Sequence, residues 1–268
     1  MPGYGKQTSS AGRAFWRACR DMSGVTNEYS PGSLLACNFN KLWCTALNMA
    51  HRGERVDYFA MLHDDIGCED FWLDSLIDEL EAKQLDVLGI VVPIKDNRGI
   101  TSIALHHRGD NWNPDCRLTL HDVYDLPETF TTDDLGGLPL LLNTGCWVAK
   151  WNQEWARRVH FEINDRIVFD RTSNAYYPEV ESEDWFFSRM LNELDLRIGA
   201  TRKIADKHEG DAEFPNTFAW GHRAFDNESC KYPRRVSPVP NGFPRDIPGW
   251  LTPAEGRKLG RKKKLALD

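Results

Sequence analysis

The sequence predicts an α/β domain: a central, mostly parallel sheet flanked by helices, with an irregular C-terminal arm. Two observations carry this expectation. Amphipathic helical stretches alternate with short apolar runs through the first hundred residues, the order that builds layered α/β sheets. Two of those runs, Tyr58 to Leu62 and Leu85 to Ile94, are bounded by charge and read as buried strands.

Taken in order, Met1 to Gly5 is short and glycine-rich, and leaves almost no room for a first strand. Ala11 to Met22 has helical character, with Ala14, Phe15, Ala18 and Met22 on one face and Ser9 or Ser10 as N-cap. Ser30-Pro-Gly-Ser33 marks a turn. Asn38 to Met49 reads as an amphipathic helix that Arg52-Gly53-Glu54 stops. The strand 58–62 breaks abruptly into His63, Asp64 and Asp65, and a helix from Glu69 to Lys83 follows. Strands are expected over Ile100 to Leu105 and Arg117 to Leu120, joined by a polar loop that contains Trp112. Pro139 to Trp147 is a strand interrupted by Asn143-Thr144-Gly145, where glycine permits close backbone approach. Asn152 to Val159 and Trp185 to Leu191 read as helices, the second opened by the acidic cluster Glu181-Ser-Glu-Asp184. Leu196 to Thr201 is a strand, and Lys203 to Gly210 a strand-like segment that ends on His208. From Phe214 the composition shifts to Pro, Gly and aromatics. The expected organisation is one domain over 1–213, with halves at about 1–105 and 106–213, an arm over 214–256 packed on it, and a basic tail over 257–268.

Bulk properties narrow the function. The 268 residues can bury a sizeable core, and no run approaches the roughly 18 apolar residues of a membrane span. Met1 to Lys6 lacks the apolar stretch of a signal peptide. Seven cysteines, an odd count with no C-x-x-C pair, suit reduced thiols in a cytoplasmic protein. The net charge of −7 is uneven: residues 257–268 carry +5, through Arg257, Lys258, Arg261, Lys262, Lys263 and Lys264 against Asp268, so residues 1–256 carry −12. Such a tail either holds a polyanion or is a solvated terminus. There is no P-loop, G-x-G-x-x-G, H-E-x-x-H or G-x-S-x-G. That argues against P-loop nucleotide hydrolysis, dinucleotide chemistry, zinc proteolysis and a serine-hydrolase elbow.

Acids at the carboxyl end of a buried strand sit where open α/β sheets bind ligands. Their oxygens suit Mg²⁺ or Mn²⁺, although Asp64 and Asp65 could equally cap the next helix. Glu183 and Asp184 could likewise serve only to complement a helix dipole.

Three features share an order: the acidic turn after a central strand, the acidic pair opening a later helix, and the strand ending in His208-x-Gly210. That order resembles the nucleotide-sugar glycosyltransferases of the GT-A (Rossmann-like) fold, in the inverting superfamily of cellulose and hyaluronan synthases and many small bacterial and viral transferases. The resemblance covers roughly residues 1–210. It implies that Pro2, Tyr4 and Gly5 form the loop after the first strand, and that Asn38 stands in the segment opening a helix on the nucleotide side. It implies that His63, Asp64 and Asp65 hold the metal and nucleotide-sugar, with His63 in the place of the first acid. Asp65, His208 and Asp64 are then the metal ligands, Asp184 the base and Glu183 an orienter of the acceptor. Asn143, Thr144, Gly145, Trp147 and Trp185 would line the acceptor side, with Trp147, Trp185 or Trp112 stacking on a sugar or base; taken alone, each tryptophan reads as core packing.

The implied function is metal-dependent transfer, with inversion, of a sugar from a nucleotide-sugar, a UDP-sugar foremost, to an acceptor hydroxyl. The basic tail suggests a hydroxymethylated pyrimidine in DNA as acceptor, as in phage-encoded DNA modification in a bacterial cytoplasm. A glycan, lipid or protein hydroxyl is the alternative acceptor. A non-catalytic nucleotide- or DNA-binding module is the rival from another class, favoured by His63 in place of an acid. A nucleotidyltransferase would need a phosphate loop that the first strand does not supply.

Overall fold

In a computed structural model the chain is described over residues 1–3, 7–95, 97–105, 117–171 and 174–221. It divides into two units, residues 1–236 and 237–268, and the second lies outside the described residues. The first is a mixed α/β unit with several small sheets around one five-stranded sheet.

The N-terminal strand β1 (Pro2–Gly3) pairs in parallel with β2 (Ser30–Pro31). Helix α1 (Ser9–Trp16) is shorter than its apolar spacing predicts, and its N-cap is Thr8, whose hydroxyl accepts from the Ala11 N–H. Helix α2 (Leu35–His51) starts earlier than expected and takes in Leu35. Strand β3 (Tyr58–Leu62) stands as the sequence predicts. The stretch expected to open the next helix forms β4 (Ile66–Cys68) instead, and α3 (Trp72–Ala82) begins only after Phe71, which adopts a left-handed conformation (φ 65°).

Strands β5 (Val87–Ile90), β6 (Ile100–Leu105) and β7 (Arg117–Thr119) follow. Two short elements had no clear sequence signal: α4 (Leu120–Tyr124), closed by a Thr119–Asp122 capping box, and β8 (Thr129–Thr131). The apolar run around Asn143 splits into β9 (Leu140–Leu141) and β10 (Cys146–Lys150). Then come the short helix α5 (Gln153–Ala156), a hairpin of β11 (Asn164–Asp170) and β12 (Ala175–Glu181), and α6 (Glu183–Glu193). Strands β13 (Ile198–Thr201), β14 (Asp206–Glu209) and β15 (Glu213–Pro215) complete the unit.

The central sheet has the order β3-β10-β5-β13-β8 and is not the mostly parallel sheet that the sequence suggests. Only β5 and β13 pair in parallel; β10 runs against both β3 and β5, and β8 against β13. The connection explains the reversal of β10. Residues 142–145 approach from the end of the sheet where β3 finishes, and His63 N–H donates to the Gly145 carbonyl at 2.7 Å. A strand that enters there must run away from that end. The carboxyl ends of β3, β5 and β13 and the leading loop of β10 therefore share one edge of the sheet.

One face packs on a cluster of aromatic side chains. Trp43, Phe59, Trp147, Phe161 and Phe187 meet at ring-centroid distances of 4.5–6.3 Å, and the Trp43 indole N–H donates to the Ala156 carbonyl. The other face carries Leu62, Leu88 and Val148, which share one cluster with Ile66 of β4, Ala11 and Ala14 of α1 and Leu76 and Leu80 of α3.

Helix α6 is tied to the segment 140–144 by three steps. Asn192 Nδ2 donates to the Leu140 carbonyl, Ser188 Oγ accepts from the Leu142 N–H at 2.9 Å, and Asp184 accepts from Thr144. Four helical residues advance about 6.0 Å and two extended residues about 6.6 Å, so every fourth side chain of α6 meets every second residue of the strand. Ser188 is wholly buried. We expect Ser188→Ala to leave the Leu142 N–H unpaired and to cost about 1–3 kcal/mol in urea denaturation.

Candidate active site

Strand β3 delivers His63, Asp64 and Asp65 to the shared edge as a turn between two strands. Thr8 N–H donates to the Asp64 carbonyl, and Glu209 N–H to the Asp65 carbonyl, at 2.8 Å each. The Asp64 side chain is buried against Gly3: a Cβ on Gly3 would fall on its carboxylate. Asp65 makes different contacts, with His208 of β14 and with Lys95. Strand β14 pairs with β4 so that His208 lies opposite Ile66. This register places His208 Nε2 3.5 Å from Asp65 Oδ1, while His208 Nδ1 bonds the Pro93 carbonyl at 2.8 Å. Lys95 Nζ holds Asp65 Oδ2.

Asp184 approaches from α6. Thr144 donates to its Oδ1 through both the backbone N–H, at 3.1 Å, and the hydroxyl. Asn143 Oδ1 in turn accepts from the Gly145 N–H at 2.7 Å, which shapes the loop. His63 joins the groups. Burial pushes its imidazole down to about 4, against the opposing pull of Asp65 and Asp184, with His208 pushing the same way as burial. His63 is therefore neutral at pH 7, inside an electrostatic neighbourhood that contains Asp65, Asp184 and His208 together. Its Nε2 is shielded from water and has no hydrogen-bond partner among the described residues.

The Asp65 carboxyl is pulled from both sides. Burial works to raise it, but His208 and Lys95 outweigh burial, and the net direction is well below the usual carboxylate range. Glu183 moves the opposite way. Burial, and then the neighbouring Asp184 charge, lift its carboxyl to about 7.

The donor set suits a divalent cation in chemistry. Asp65 offers oxygen, and His208 is oriented through its far nitrogen by a backbone carbonyl, the arrangement usual for ligating histidines. The shielded, unpartnered His63 Nε2 lies in the same neighbourhood. Among the described residues no group of three or more His, Cys, Asp or Glu side chains stands at metal-holding spacing.

Other expected residues fall elsewhere. Trp147 and Trp185 are 1% exposed and are core residues, so neither presents a face for stacking. Trp147 belongs to the aromatic cluster; the Trp185 indole donates to the Ser102 carbonyl, with the Arg117 guanidinium over its ring. Asn38 is also buried, and its amide donates to the Gly32 carbonyl, so it pins the β2 turn to α2. Asn143 and Thr144 are buried too and build the loop that holds Asp184. Pro2 lies in buried β1. Tyr4, Gly5, Trp112 and the basic residues Arg257, Lys258, Arg261, Lys262, Lys263 and Lys264 lie outside the described residues.

Sequence reasoning missed Lys95, whose signal was faint: a lone cation directly after the apolar run 85–94. It also missed Asp206, a buried acid on β14 whose carboxylate oxygens have no hydrogen-bond partner among the described residues and whose carboxyl burial raises well above its ordinary value.

No protein-family model matches the chain, and no curated protein matches its sequence. Among solved structures it is similar to A197 from STIV, with a TM-score of 0.43 and 14% identity over 78% of this chain and 83% of that one. No helix among the described residues is long and apolar enough to cross a membrane.

The Glu183 shift sets a pH dependence. A carboxyl raised in the folded state contributes stability that is fully present below its ordinary value of 4.5 and is lost as pH rises through about 7. Glu183→Gln, which keeps the uncharged form, is expected to be more stable than the wild type by about 3 kcal/mol at pH 8 and equal to it near pH 4.5. Thermal unfolding of both proteins across that range checks this.

Proposed function

We propose that the chain is a GT-A-type glycosyltransferase, which moves a sugar from a nucleotide-sugar, a UDP-sugar foremost, to an acceptor hydroxyl with inversion. The observation that carries the reading is the convergence of Asp65, His208 and Asp184 around His63, from three separate stretches of chain. The edge they share, at the carboxyl ends of β3, β5 and β13, is where open α/β sheets bind ligands.

Each group has work suited to it. Asp65 and His208 would hold Mn²⁺ or Mg²⁺, with Asp64 behind them fixing the turn. Such an ion supplies Lewis-acid charge for a departing diphosphate. Asp184 is fixed through Oδ1 by Thr144, which leaves Oδ2 to accept the acceptor's proton. As the acceptor oxygen bonds to the anomeric carbon, the bond from that carbon to the phosphate oxygen breaks, and its electron pair leaves with the nucleoside diphosphate. Glu183, lifted to about 7, stands beside Asp184 as a second group that can carry a proton near neutral pH. The acceptor is proposed to be a hydroxymethylated pyrimidine in DNA, on the strength of the +5 tail. A glycan, lipid or protein hydroxyl would use the same chemistry without the tail.

The rival reading, a non-catalytic nucleotide- or DNA-binding module, draws on His63, which is buried and neutral where the resembling family carries an acid. Nucleotide release in Mn²⁺ from a panel of UDP-, GDP- and dTDP-sugars, with and without hydroxymethylated DNA, separates the readings. For the wild type, DNA-stimulated release is expected. For Asp65→Ala and Asp184→Asn we expect a loss of about 10²–10⁴-fold. Nucleotide binding without release under any condition would favour the binding module. Deleting residues 257–268 is expected to raise the KM for DNA, more steeply as salt increases; an unchanged KM removes the tail from the acceptor argument.

A further inference from the structure

The turn after β5 does two jobs at once. It is held tightly: Ser102 N–H donates to the Val92 carbonyl and Ile94 N–H to the Ile100 carbonyl, both at 2.9 Å, and Pro93 bridges Thr101. Its Pro93 carbonyl orients His208, and two residues later Lys95 reaches back to Asp65. The two cationic or potentially cationic groups divide the carboxylate between them, His208 Nε2 at Oδ1 and Lys95 Nζ at Oδ2. The lysine stem lies across Gly210, where an added Cβ would come within 3.0 Å of Lys95 Cδ. The Lys95 side chain keeps 36% of its surface and Asp65 21%, so the pair sits at the mouth of the site and faces its solvent side.

We propose that Lys95 is a resident counter-cation of this site. It holds Asp65 Oδ2 and sets its charge beside Oδ1, the oxygen that faces His208, so a divalent ion binds Asp65 only against that charge, and when no metal is bound the lysine offers its charge to the diphosphate. The first half rests on the ion pair alone; the second rests on the glycosyltransferase reading. A carboxylate lone pair engaged by an ammonium is not available to a metal, and opposite charges at contact in a partly buried place attract far more than in water. Lys95 transfers nothing. In the transfer step the acceptor proton goes to Asp184, the electron pair goes to the phosphate oxygen, and the ammonium offsets the charge that accumulates there.

The test uses the full chain, with calorimetric titration of Mn²⁺ into wild type, Lys95→Ala, Lys95→Arg and Asp65→Asn, and of uridine diphosphate in EDTA into the first three. Lys95 lies at a turn tip, and circular dichroism establishes that the variants fold. Lys95→Ala is expected to bind Mn²⁺ about tenfold more tightly than wild type, Lys95→Arg to resemble wild type, and Asp65→Asn to lose the site. Equal, weaker or absent Mn²⁺ binding in Lys95→Ala overturns the proposal. In EDTA, uridine diphosphate is expected to bind wild type and Lys95→Arg, and to bind Lys95→Ala at least about fivefold more weakly. Equal binding overturns the diphosphate half. If Mn²⁺ competition is present but uridine diphosphate binds none of the proteins, with or without metal, the glycosyltransferase reading fails while Lys95 remains the counter-ion of Asp65.

Discussion

The candidate site depends on the match between one face of α6 and the extended segment 140–144. Asp184, Ser188 and Asn192 stand one helical turn apart, and they meet Thr144, Leu142 and Leu140. Because the helical and extended spacings nearly agree, all three contacts are satisfied at once. Asp184 is thus placed by the whole length of the helix and not by its own rotamer alone. The same segment leads into β10, whose register with β3 fixes Gly145 beside His63. A shift of α6 by one turn would carry Asp184 about 5.4 Å from the acidic turn, so the spacing between Asp184 and Asp65 is set by packing.

The antiparallel course of β10 belongs to the same argument. A parallel β10 would bring its trailing residue, Lys150, to the ligand edge and carry Asn143 to Gly145 to the far end of the sheet. The reversed strand does the opposite, and its leading loop becomes part of the site. Periodicity could not have revealed this. An apolar run such as 85–94 reports burial on both faces, and burial says nothing of direction. Strand β3 and the acidic turn were legible because an apolar run ending in three polar residues has few other interpretations. The β11–β12 hairpin was not. Ile167, Phe169 and Tyr176 are more than 40% exposed on it, so its apolar residues carry no core pattern to read. Helix α3 was placed early because Glu69 and Asp70 look like a first helical turn, whereas the chain spends residues 66–68 on a strand that pairs with β14.

Among the candidate residues, the charged ones gather at one end of the sheet while the tryptophans and Asn38 lie in the core or tie down a turn, for a physical reason. Aspartate and histidine are costly to bury, so several of them at the ends of apolar runs must gather where something offsets the cost. Tryptophan and asparagine bury readily when packed or bonded. Trp147 and Trp185 fill core, Asn38 ties down a turn, and Asn143 braces Gly145. The partners of the buried charges were invisible because they come from distant sequence. Thr144 reaches Asp184 across forty residues and Lys95 reaches Asp65 across thirty.

His63 shows how these constraints combine. An acid in its place would add a third negative charge to the neighbourhood of Asp65 and Asp184, beside Glu183, whose carboxyl is already raised by burial and then by the Asp184 charge. Burial makes the imidazole neutral instead. That lowers the repulsion the site must absorb when empty, and leaves Asp65 ionised with Lys95 and His208 beside it. The arrangement carries fewer negative charges than a pair of acids would, and under the proposed reading it would hold a divalent ion correspondingly less firmly. A lysine that shares Asp65 fits such a site: where the carboxylate count is low, a cation supplied by the chain can stand in for part of the charge that a more acidic site would take from metal alone.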